Sequence, residues 1–130
     1  MKYLKKYEDI NNGSSNNEPK VDDYVILKSY SHLGDFFKNN IGQIEAICPD
    51  IDSDKLVYII YFENENIPVS TLWYFDNLES INKFLNKVNH ELLPITYKKF
   101  FYVSYKEDIK YFSSNKQDLE AIIYSEKYNL

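Results

Sequence analysis

The stretch Lys55 to Glu63 (KLVYIIYFE) decides the reading of this chain. Seven consecutive apolar or aromatic residues, most of them β-branched or aromatic, favour an extended backbone. On a two-residue period Leu56, Tyr58, Ile60 and Phe62 share one face, and Val57, Ile59 and Tyr61 share the other. Apolar residues on both faces predict a strand covered on both sides. Working outward, Asp23 to Tyr30 (DYVILKSY) and Ile41 to Cys48 (IGQIEAIC) read as two earlier strands. Between them Ser31 to Asn40 reads as a loop with a helical turn around Asp35 to Lys38. Gly42 marks a bend or a close backbone approach. Pro49 to Asp54 is a turn.

Downstream the period changes. From Asp76 to Leu92, residues Leu78, Ile81, Leu85, Val88 and Leu92 fall at steps of three and four. That spacing predicts an amphipathic helix, capped by Asp76 or Asn77, with Pro94 beyond its end. Phe100 to Tyr105 (FFYVSY) and Asp108 to Ser113 (DIKYFS) return to strand character, with Lys106-Glu107 leaving room only for a tight turn. A last helix is expected from Asn115 to Lys127, started by a Ser114/Gln117 capping box and buried through Leu119, Ile122 and Ile123.

The expected fold class is α+β. It is a small antiparallel SH3-like β-barrel of about five strands, with a helical insertion between strands 3 and 4 and a C-terminal helix. Closure would remove the exposed edges of such short strands. Residues 1–10 read as a short amphipathic segment and residues 11–18 (NNGSSNNE) as a flexible linker. Residues 19–130 form the expected single domain, with the insertion at about 76–92.

Composition narrows the function classes. The chain has 130 residues, enough for a core without disulfide or metal staples. Its one cysteine, Cys48, excludes an internal disulfide and a CxxC-type zinc or redox site. The net charge is −5, and all fifteen basic residues are lysine. Without arginine the bidentate contacts to guanine and phosphate are missing, which weighs against nucleic acid. The charged N-terminus is no signal peptide, and no stretch suits a membrane span, so the expectation is a non-secreted protein. The abundance of Asn, Ile, Lys, Tyr and Phe reflects AT-rich coding.

Asp22-Asp23-Tyr24-Val25, Asn40-Ile41-Gly42-Gln43-Ile44 and Tyr61-Phe62-Glu63-Asn64 together resemble the strand pattern of small SH3-like or KOW-like barrels, with Asp22 where a glycine is usual. The opening Met1 to Glu8 and the tail (Glu107 to Ser113, Asn115 to Glu120 and Lys127 to Leu130) are similar to small uncharacterised proteins of AT-rich tailed phages. The resemblance implies a barrel and a phage origin, in the host cytoplasm or the phage particle. It carries no activity to transfer, and Glu65 to Tyr105 lie outside it.

No residue set has the spacing of a catalytic or metal site. Cys48 with His32 or His90 lacks any local nucleophile signature. Asp50, Asp52 and Asp54 open like a calcium loop, but its sixth and twelfth positions hold Lys55 and Tyr61, so an acidic hairpin turn is expected. With three glycines the chain builds no phosphate loop. No cofactor is expected, and the chain reads as a non-enzyme.

Aromatic residues supply the candidate contacts. Trp73 and Tyr74, joined by Tyr24, Tyr30 and Tyr102, are the expected partner-binding surface, since Trp and Tyr dominate interface energetics. The competing reading places these rings in the space between barrel and insertion. Tyr3, Leu4, Tyr7 and Ile10, on one face at helical spacing, are a second candidate contact. The expected function is a phage-type accessory protein acting as a protein-binding module, its partner a host or phage protein. The alternatives are a minor structural component of the phage particle and a weak nucleic-acid-binding barrel using Lys28, Lys38, Lys98, Lys99, Lys106 and Lys110.

Overall fold

The computed structural model describes residues 18–29, 33–95 and 99–128, the side chain of Asn64 excepted. The fold is α+β. Its strands are β1 (Tyr24–Leu27), β2 (Gly42–Pro49), β3 (Leu56–Phe62), β4 (Phe100–Tyr105) and β5 (Ile109–Ser113). Its helices are α1 (Gly34–Asn39), α2 (Leu78–Lys87) and α3 (Lys116–Tyr128). Short 3-10 segments occupy Asn64–Asn66, Val69–Tyr74 and Lys106–Asp108. Tyr30, expected to end the first strand, lies outside the described residues.

The strands form one antiparallel sheet in the order β4-β3-β2-β1-β5. The expected closure into a barrel does not occur, since β4 and β5 remain at opposite ends of that order. Nor does the link between them make a hairpin. Lys106–Asp108 wind as a 3-10 turn, and β5 crosses to pair with β1. That turn advances the chain by about 8 Å from Tyr105 to Ile109. Laid flat, the sheet would separate the same strands by four spacings, roughly 19 Å. The sheet must therefore curl. The curl falls between β1 and β2, which share only the pairs Tyr24↔Gln43 and Val25↔Gly42.

Two register shifts decide which residues face inward. In β2 the pairing jumps between Ile44 and Ala46, leaving Glu45 as the extra residue of a bulge. Ile44 and Ile47 consequently point into the curl, while Ala46 and Cys48 point outward. In the β1–β5 pair the shift lies between Ile26 and Leu27, so Leu27 and Ile109 turn inward and Ile26 and Tyr111 outward.

The result is one sheet with three apolar surfaces. Inside the curl, Val25, Ile44, Tyr58, Ile60 and Phe62 meet Phe36 and Phe37 of α1 and Phe75 of the insertion. The rings meet edge to face: Phe37 and Tyr102 at 4.8 Å, Phe36 and Phe62 at 5.1 Å, Phe36 and Phe75 at 5.4 Å. Outside, α2 lays Ile81 and Leu85 on Ala46, Val57, Ile59 and Phe101. At the other end α3 lays Leu119 and Ile122 on Ile26 and Tyr111. The two-faced pattern of β3 thus corresponds to burial on both sides.

The helix ends depart from expectation for identifiable reasons. Asn77 caps α2, its Oδ1 accepting from the Ser80 N–H at 2.9 Å. The helix stops at Lys87 instead of Leu92 because Asn89 takes a left-handed φ of 58° and the His90 N–H donates back to the Leu85 carbonyl at 2.8 Å. The returning chain is then held by the Asn82 amide, which bonds both the N–H and the carbonyl of Leu93. At α3 the cap is Asn115, accepting from the Gln117 N–H at 3.0 Å, and not Ser114.

Gly42 sits against side chains of β3 that leave no room for one of its own. A Cβ there would lie 2.5 Å from Ile60 Cγ2 and 2.8 Å from the Phe62 ring. Gly42→Ala is expected to cost about 1–3 kcal/mol through overpacking, measured by urea denaturation; an unchanged midpoint would remove the close-approach argument. Ser104, facing the same side as Tyr58, is 3% exposed and its Oγ has no hydrogen-bond partner. Ser104→Ala should therefore match or exceed the stability of the parent chain, and a clear loss would show that the hydroxyl is satisfied.

Candidate protein-binding surface

The five aromatic residues expected to form one surface separate in the structure. Tyr24 lies on the outer face of β1, packed against the α3 cluster. Tyr102 lies inside the curl, its ring against Phe37 and Phe75. Tyr30 is outside the described residues, as are Tyr3, Leu4, Tyr7 and Ile10. Trp73 and Tyr74 alone stay together, on the 3-10 helix Val69–Tyr74.

That helix exists because Pro68 fixes an extended entry and Thr71 closes the first turn. The Thr71 N–H and Oγ1 both donate to the Pro68 carbonyl, at 2.9 and 3.0 Å. It ends at Phe75, whose N–H reaches the Leu72 carbonyl and whose ring enters the core. Leu72 and Tyr74 pack against the inner cluster, so the helix is seated from below. Its other side is bare. Val69 is 85% exposed and Trp73 74%.

The Trp73 indole is not adrift. It stacks on the Tyr74 ring at 3.9 Å and 28°. A large apolar ring thereby rests on a neighbour that is itself packed against the core. Such support before contact lowers the ordering cost of binding. From Asn66 to Phe75 the chain carries no charge, although 27% of the protein is charged. The surface offers area and shape instead of ion pairs.

Five residues beyond Trp73, Leu78 begins a second apolar feature. A groove of about 660 Å³ runs between α2 and the returning chain, lined by Leu78, Asn82, Asn86, Leu92 and Ile95. Leu92 is 51% and Ile95 89% exposed. The sequence reading placed Leu92 on the buried face of a longer helix and missed this groove. The Asn89-His90 stop is visible only in the backbone geometry.

The other candidate chemistry is accounted for by local structure. Cys48 is buried in β2, and burial, with the nearby Asp50 charge, pushes its thiol pKa up, away from nucleophilic use. His90 is half-buried beyond the end of α2, bonded to the Glu91 carbonyl through Nδ1. His32 lies outside the described residues. Among the described residues no cluster of His, Cys, Asp and Glu could hold a metal ion. No helix among them is long and apolar enough to cross a membrane. Of the lysines considered for nucleic acid, Lys106 pairs with Glu18, Lys110 with Glu126 at 3.9 Å, and Lys99 sits 3.5 Å over the Tyr61 ring; Lys98 is outside the described residues.

The acidic turn between β2 and β3 is a hydrogen-bonded unit. Asp50 accepts from the Tyr105 hydroxyl and from Ser53 Oγ, each at 2.9 Å, and from the Asp52 N–H. Lys55 bonds Glu107 at 3.0 Å. These contacts tie the turn to the end of β4 and the 3-10 link.

No protein-family model matches the chain, and no curated protein or solved structure shows significant similarity to it.

The Tyr105 hydroxyl is the first cause holding the Asp50 carboxyl below its usual pKa, followed by Ser53. A depressed carboxyl adds stability above its ordinary pKa and loses it as pH falls through the lowered value. Tyr105→Phe should raise the Asp50 pKa in an NMR titration and weaken the acid-sensitive part of the stability profile. An Asp50 titration identical in both chains would show that the contact is absent in solution.

Proposed function

We propose that this chain is a non-enzymatic protein-binding module of phage-accessory type, and that it engages its partner through the exposed face of the Val69–Tyr74 helix. One observation carries the reading. Trp73 is three-quarters exposed yet stacked on Tyr74, whose ring packs against the core. Exposed tryptophan in an ordered, uncharged setting is the usual composition of an interface hot spot. The remaining support is negative in charge terms: a net charge of −5 and engaged lysines suit a protein partner better than a nucleic acid.

The strand order and the 3-10 link between β4 and β5 also support reading the sheet as an opened relative of the SH3-like barrel, with the β3–β4 insertion as the part that presents the binding face. Fold by itself assigns no partner.

The test is photo-crosslinking from a reactive group placed at Val69, in lysate of phage-infected cells, followed by affinity measurement on the captured protein. Trp73→Ala should weaken that affinity by about 2 kcal/mol, roughly thirtyfold. Its thermal stability should change by less than about 1 kcal/mol, because an exposed ring leaves no cavity. Crosslinks that persist with unchanged affinity in Trp73→Ala would move the binding site elsewhere.

A further inference from the structure

Three strands place a polar row on the outer face of the sheet. Tyr24 of β1 stands opposite Gln43 of β2, and Gln43 stands opposite Tyr61 of β3. Facing partners in a ladder share one side of the sheet. The row lies between the two outer helices: α2 covers Ala46, Val57, Ile59 and Phe101, and α3 covers Ile26 and Tyr111. All three side chains of the row are half-buried. They floor a depression of about 220 Å³ bordered by Glu63, Asn66 and Lys116. Ile41, Asn66 and Lys116 carry it on into a second depression of about 270 Å³, toward Asn40 and Glu120. Together the two reach the roughly 300–1,000 Å³ typical of small-ligand sites.

Gln43 is fixed at both ends of its amide. Its Nε2 donates to the Asp22 carbonyl at 3.0 Å, and its Oε1 accepts from the Tyr61 hydroxyl. Asp22 is itself held at a left-handed φ of 78°, its N–H on the Ile44 carbonyl at 2.8 Å. Non-glycine residues held in that region concentrate at functional sites. An amide bonded in this way keeps one N–H to donate, and the Tyr61 oxygen keeps a lone pair to accept. At the far end the Asn40 Nδ2 donates to the Phe36 carbonyl at 2.9 Å, which leaves its Oδ1 to accept.

The lining selects a ligand class. Its polar groups are mainly amides and hydroxyls, which between them both donate and accept. Its charges offset one another: Lys116 stands with Glu63 and Glu120, and Lys99 lies over the Tyr61 ring. A phosphate or other strong anion would meet two carboxylates and no arginine. An apolar ligand would strip the amides of water without replacing their hydrogen bonds. A neutral molecule carrying several adjacent hydroxyls satisfies donors and acceptors alike.

We propose that the Tyr24–Gln43–Tyr61 row is the floor of a binding site for a neutral saccharide, held by Gln43, Glu63 and Asn66. No residue of the Val69–Tyr74 helix takes part, so the site stands whether or not that helix binds a protein.

The test is amide NMR on the full chain, with glucose, galactose, N-acetylglucosamine and maltose each titrated in the millimolar range. The side-chain amide signals of Gln43 and Asn66 are expected to shift to saturation with at least one of these sugars. Gln43→Ala should raise the Kd for that sugar roughly tenfold. Asn66 is exposed and outside the strands, so Asn66→Ala should raise the Kd several-fold with an unchanged melting temperature. Signals that stay in place with every sugar would overturn the proposal. So would equal affinity in the parent chain and both variants, or shifts of the same amides produced by inorganic phosphate and not by sugar.

Discussion

Three residues govern this architecture. Lys106, Glu107 and Asp108 join the two strands that end up farthest apart in the sheet, and so short a link forbids a flat arrangement. The sheet has to curl until its edges approach, and everything else accommodates that curl. β1 and β2 part after two residue pairs, Gly42 leaves its place to the Ile60 and Phe62 side chains, and Glu45 is expelled from the ladder. The concave side that results is filled by α1 and the aromatic cluster. The link is fastened in turn: Lys55 holds Glu107, Tyr105 holds Asp50, and the Tyr105 N–H donates to Asp108.

Much of this was legible in the residues. The two-faced apolar run of β3, the three-and-four spacing of Ile81 and Leu85, and the close approach at Gly42 each correspond to what the structure contains. What escaped depends on partners distant in sequence. A Lys-Glu pair between two strands looks like a hairpin turn, and only the competition of β1 for β5 makes it a crossover. The bulge at Glu45 is hidden in IGQIEAIC, although the three-residue step from Ile44 to Ile47 was its one trace. Leu92 continued the helical period faithfully, yet a left-handed Asn89 removed it from the helix.

The candidate surface was partly legible for the same reason. Aromatic content marks Trp73, Tyr74, Tyr24 and Tyr102 equally, and nothing in their identity separates rings that fill a core from rings that leave it. Position does. Tyr102 alternates with Phe101 on a covered strand and turns inward, Tyr24 falls on the α3 side of β1, and Trp73 sits on a one-sided 3-10 helix whose half-buried, core-facing positions are taken by Leu72 and Tyr74. A tryptophan left over after its neighbours have satisfied the core is a different object from one that was merely unpaired at the surface.

The isolated bridge between Asp76 and Phe101 has a meaning beyond the fold. Asp76 exchanges both backbone hydrogen bonds with Phe101 at 2.8 Å on the outer side of β4. An open sheet this rich in tyrosine and isoleucine would otherwise offer a ladder of free amides to any passing strand. Here that edge is taken up near the start of β4 by a carboxylate-bearing residue, and at the strand's end the Asp108 carboxylate accepts from the Tyr105 amide. The same insertion that exposes Trp73 thus also occupies part of the β4 edge, so fewer of that edge's backbone groups are open to an added strand.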